Sequence, residues 1–127
     1  MSEYVVTTIK AREKFAKAHL GLAPLPIITK IAFGDGGHDT LGNPIKPSQD
    51  LTLVPGEFMK KDLDNTELFN PTTVRIKGSL NFEESIGTQV SAVGIYDSEG
   101  DLVAVKTFSP KNKDGDTRIE IEWDELF

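Results

Sequence analysis

Apolar residues recur at three-to-four spacing near the start of the chain. Ala11, Phe15, Ala18 and Leu22 form the stripe, widened by Ile9, Ala16 and Leu20. That period predicts a helix over residues 7–20, with a threonine hydroxyl at Thr7 or Thr8 as its N-cap. Lys10, Arg12, Glu13, Lys14 and Lys17 fill the polar positions. Gly21 is placed to end the helix, and Pro24 and Pro26 forbid continuation. A helix this short is marginal alone, so its apolar face must pack on a sheet or a partner.

Beyond Pro26 the period shortens to two. "IITKIAF" (27–33) predicts a strand with Ile27, Thr29, Ile31 and Phe33 facing inward. Residues 34–50 are glycine- and proline-punctuated loop, and a loop of that length in a small domain is usually functional or mobile. Leu51, Leu53 and Val54 suggest a short edge strand that Pro55-Gly56 would break. The stretch 64–71 is expected to be a second loop. From residue 72 alternation is sustained. Val74, Ile76, Gly78, Leu80 and Phe82 oppose Arg75, Lys77, Ser79 and Asn81, the pattern of a half-exposed antiparallel strand. Residues 90–96 are apolar on both faces, which predicts a central strand. "DSEGD" (97–101) predicts a tight turn into "LVAVKTF", and Asp114-Gly115 a hairpin into "TRIEIEW". The expected whole is one α+β domain over 1–127. One N-terminal helix packs on four to six mostly antiparallel strands, a sheet or small sandwich, with a β-rich part at 72–123 and the last three strands as a meander.

Composition narrows the function classes. The 127 residues suit one domain with one core. Fourteen basic against 20 acidic residues give a net charge of −6, which argues against a nucleic-acid binder, whose footprint is a basic stripe. Cysteine is absent, so disulfides, thiolate zinc sites and thiol nucleophiles are excluded. Glu3 and the lack of a long apolar run make the N-terminus unlike a signal peptide. The expectation is a protein held in the cytoplasm of its host until it is assembled elsewhere.

Candidate chemistry is sparse. "GDGG" (34–37) follows a strand as phosphate loops do, but it lacks their glycine spacing and no helix opens after Gly37. Asp35, His38 and Asp39 form a possible metal or acid–base cluster. A catalytic zinc site wants three protein ligands, often several histidines, and the chain has only His19 and His38. Aligning Gly115 with the glycine of a calcium loop puts Pro110 and Ile121 where acids are required. Glu120, Glu122, Asp124 and Glu125 fit a solvated face that blunts a strand edge better than a carboxylate pair. No catalytic residue, metal or cofactor is expected, and binding or assembly remains. Tyr4, Tyr96 and Trp123 are the aromatic candidates for a carbohydrate or host-surface binding module. Tyr96 and Trp123 suit the core better.

Three segments together resemble the N-terminal domain of phage tail-collar fibre proteins. They are Ile28–Gly37, with its Gly34-Asp35-Gly36-Gly37 corner, then Leu51–Val54, then Val93–Val105. The last is the more specific, with Gly94, Tyr96, Asp97, Gly100 and Asp101 in "GIYDSEGDLVAV". With the helix, the resemblance spans residues 7–108. It departs from the family pattern across "FMKKDLDNTELFNPTTVRIKGSLNF". The resemblance implies a virion structural protein of a phage, prophage or tail-like particle. It implies attachment of a tail fibre to the baseplate and self-association, a trimer being the first expectation. Fibre shafts follow such domains. Here the sequence ends at Phe127, which fits either a small stand-alone tail component or a fragment.

Overall fold

The helix begins and ends on the residues the sequence offers for it. In the computed structural model, which describes residues 4–126, helix α1 runs Ile9–His19 after a short strand β1, Val5–Thr7. Thr8 is the N-cap: its hydroxyl accepts from Ala11 N–H at 3.1 Å. The same hydroxyl donates to the Leu102 carbonyl at 2.6 Å, which fixes the helix start to the sheet. Gly21, at φ +72°, ends it. Gly21 and Leu22 N–H donate to the Ala18 and Lys17 carbonyls, the paired bonds of a Schellman cap. The buried stripe is narrower than the period suggested. Ala11 is buried and Phe15 half-buried, whereas Leu20 and Leu22 are exposed.

Strands follow as β2 Ile28–Gly34, β3 Glu57–Asp62, β4 Asn65–Asn70, β5 Thr73–Leu80, β6 Gln89–Asp97, β7 Leu102–Asn112 and β8 Ile119–Leu126. They form a five-stranded sheet, β1-β7-β6-β2-β3, and a three-stranded sheet, β4-β5-β8, with every pairing antiparallel. Ile31, Phe33, Val93 and Ile95 of the first sheet share one core with Ile76, Leu80, Ile119 and Trp123 of the second. The sheets meet closely because Gly78 has no side chain: a Cβ there would lie 2.6 Å from Ile31 Cδ1. Ala11 and Phe15 join this core from the helix. The opposite face of the five-stranded sheet carries a second core of Ala32, Val54, Ala92, Tyr96, Leu102 and Val105.

The strand expected to be central is central. β6 is third of five, and its residues from Val90 onward are buried. Other expectations need correction. The fold is mostly antiparallel β with one short helix, so α+β describes it only roughly. Eight strands are present among the described residues, more than the four to six expected. Leu51–Val54 is not a strand. Val54 plugs the second core, Leu53 points outward, and the edge strand β3 starts only after Pro55-Gly56. Residues 65–70 are strand β4 rather than loop. All six are exposed, so no alternation marks them. Ile27 precedes β2 and is exposed, and Phe82 lies past β5, half-exposed. The last three strands are no meander. β7's far side pairs with β1, so β8 crosses to the other sheet and pairs with β5.

Candidate functional site

The corner that ends β2 is built from backbone pressed on backbone. Asp35 N–H donates to the Gly56 carbonyl at 3.2 Å, and Gly36 N–H to the Pro55 carbonyl at 3.0 Å. A Cβ at Gly34 would lie 2.1 Å from the Pro55 oxygen, and one at Gly37 2.2 Å from the Ser91 oxygen. These glycines therefore supply close approach, and left-handed backbone falls instead to Gly56, at φ +65°. Asp35 is exposed, with its carboxylate beside Gly56. The turn-closing carboxylate is Asp39, whose Oδ1 accepts from Leu41 and Asn43 N–H, each at 2.9 Å. His38 Nδ1 lies 2.7 Å from Ser91 Oγ, which also accepts from Gly37 N–H at 2.9 Å. Ser91 is fully buried, and the pair fastens the loop to β6. The loop 35–50 is held further by Thr107 Oγ1 donating to the Ile45 carbonyl and by Ile9 N–H donating to Gln49.

Tyr96 belongs to the same corner. Buried on β6, its hydroxyl accepts from Val54 N–H at 3.2 Å and donates to the Glu57 carboxylate. Lys60 Nζ lies 3.8 Å from the ring centroid. Burial first, then the Glu57 carboxylate, push the phenol above its ordinary range, so it stays protonated. Gly94, two residues earlier, leaves the space that Val54 fills: a Cβ there would lie 2.5 Å from Val54 Cγ2.

The β6–β7 turn gathers charge. Asp97 Oδ1 accepts from Glu99 N–H at 2.9 Å and Asp101 N–H at 3.1 Å, and Gly100 turns at φ +86°. Asp97, Glu99 and Asp101 converge as metal ligands would. Their shared cation is the ammonium of Lys14, at 2.6, 2.9 and 2.7 Å respectively. Burial opposes that charge, but hydrogen bonds to Asp101, Asp97 and Glu99 outweigh it and raise Lys14 above the usual lysine range. The hydrogen bond from Lys14 in turn lowers Asp101. Sequence reasoning found the turn and missed Lys14, which sits among other polar positions of the helix and carries no local signal.

The acidic C-terminal positions lie on β8, an edge strand as expected. Arg75 meets Glu122 at 2.8 Å and Asp124 at 2.9 Å, and Arg118 pairs with Glu120. Glu125 differs: it accepts from Trp123 Nε1 at 2.7 Å, and burial raises its carboxyl despite that bond. It faces a small apolar hollow shared with Ala11, Phe15 and Val103. Trp123 and Tyr96 are both core residues. Among the described residues no helix is long and apolar enough to cross a membrane.

No curated protein and no solved structure matches the chain. The family described as phage tail-collar fibre protein, N-terminal, matches residues 1–119. That span takes in the helix, the glycine corner and the charged β6–β7 turn. The chain belongs to this family of phage tail-fibre structural proteins.

Proposed function

We propose that the domain attaches a tail fibre to the baseplate of a phage or prophage-derived tail and acts through protein contacts, without catalysis. It is made in the host cytoplasm and ends in the virion tail or a tail-like particle. One observation carries the reading beyond family membership. The groups that look chemical are spent inside the domain: Lys14 on three carboxylates, His38 on Ser91, Asp39 on its own loop. Large apolar side chains meanwhile stay outside. Leu20, Leu22, Leu25 and Ile27 are 76%, 71%, 48% and 70% exposed within one short segment beside the helix. Clustered apolar exposure of this kind marks association surfaces.

Self-association is part of the proposal, with threefold symmetry first. β6 is enclosed within its own sheet and cannot supply the contact, so the weight falls on the helix flank. Light scattering at micromolar concentration should give an oligomer, and capture experiments should recover baseplate proteins. A monomer at all concentrations that captures no tail protein would refute the reading. The competing binding-module reading keeps only Tyr4 of its three aromatic candidates, because Tyr96 and Trp123 are buried.

A further inference from the structure

Helix α1 is held to the body unevenly. Its first turn is fixed by Thr8, through the Leu102 and Val103 carbonyls, and by Arg12 on Gln49 at 2.9 Å. Its second half hangs on Lys14, with Phe15 half-buried beneath it. The Lys14 side chain is 14% exposed and that of Asp97 only 2%, so this contact is sheltered, while Glu99 and Asp101 close the tie from the solvent side. The hollow below it is lined by Ala11, Phe15, Leu25, Ile28 and Val103, which gives that end less packing to fall back on.

We propose that Lys14 and the β6–β7 turn form a releasable clasp: when its charges are lost, the second half of α1 and the apolar segment behind it open as one local unit while both sheets stay folded. Three carboxylates around one ammonium leave an excess of negative charge, which Lys10 offsets only in part at Asp101. Lys10, Glu13 and Lys17 of the same helix share the outer groove with Glu99 and Asp101, and Glu125 of β8 faces Lys14 across the hollow. Acid acts on the carboxylates. Lys14 holds Asp101 below its usual range, so the clasp is fully set above the ordinary aspartate value and weakens progressively as pH falls from there through the lower folded one. Opening of this kind exposes amides to exchange in one segment alone.

Hydrogen exchange on the full chain tests this. Lys14→Met should lower protection over residues 15–22 by about tenfold, as loss of charged hydrogen bonds implies, with β2 and β6 unchanged. Lys14→Arg should retain most of that protection. Wild type, corrected for intrinsic exchange, should lose protection in the same segment as pH falls below about 4, before the sheets respond. Equal protection in wild type and Lys14→Met would overturn the proposal, as would a loss shared equally with β6. If Lys14→Met does not fold, the acid series on wild type decides: simultaneous loss in helix and sheets refutes the clasp.

Discussion

Gly34 and Gly37 have negative φ, so their value lies in the missing Cβ rather than in backbone freedom. Gly34→Ala and Gly37→Ala should each destabilise the fold by about 1–3 kcal/mol, the range for forced overpacking. The midpoint of urea unfolding measures this. Asp35 lies between them, but its exposed side chain is not where the N–H bonds converge. Those bonds sit at Asp39 and Asp97. Asp35→Ala should therefore cost no more than about 0.5 kcal/mol, as exposed substitutions do. Asp97→Ala, which strips two backbone amides and an ammonium of their acceptor, should cost about 2 kcal/mol or more. Equal effects at the two aspartates would contradict this assignment.

Elements were legible in the sequence wherever one face is dry and the other wet. α1 with its Thr8 cap, β2 and β5 announced themselves by period, and the central β6, dry on both faces, by its unbroken apolar run. β4 did not, because an edge strand exposed on both faces has nothing to alternate. β3 was hidden behind Pro55-Gly56, which ends the loop rather than a strand. The partner of β8 was beyond reach, since Asp114-Gly115 predicts a turn equally well whether the chain returns to the same sheet or leaves it. The same limit applies to the candidate site. The corner and the "DSEGD" turn are local motifs, whereas Lys14 reaches the turn across 83 residues. Lys113 shows a second long-range tie. It is 1% exposed, and its ammonium donates to the Phe82 carbonyl at 3.1 Å and the Asp114 carbonyl at 2.9 Å. It joins the 82–88 loop to the β7–β8 turn. Lys113→Met should lower stability by about 1–3 kcal/mol by leaving those carbonyls unsatisfied, checked by thermal unfolding.

For the molecule as a whole, acid stability is a contest between opposed carboxyls. Asp62, Glu84, Asp101, Asp114 and Asp124 are lowered, chiefly by hydrogen bonds to Lys30, Lys61, Lys14, Thr117 and Arg75 respectively. Each stabilises the fold above its unfolded pKa and loses that contribution as pH falls through the lower folded value. Glu125 is raised by burial, so it carries no penalty below its unfolded pKa, and the penalty grows as pH rises from there and is complete above its folded value. Urea unfolding should show stability falling steeply below about pH 4. Glu125→Gln should be more stable than wild type at pH 7, since it keeps an acceptor for Trp123 without the buried charge. A less stable Glu125→Gln would reverse the sign assigned to that group. The crossing of β8 to β5 has a consequence in time. Leu80 pairs with Ile119, and Thr73 with Leu126, so the three-stranded sheet cannot close on a nascent chain until its last strand has been made. β1 likewise waits for β7. Until then Ile76 and Leu80 have no Trp123 or Ile119 to cover them, and pairings of such long sequence separation form slowly. The domain should gain its native shape late and all at once, and its most aggregation-prone moment is the interval just before residues 119–126 appear.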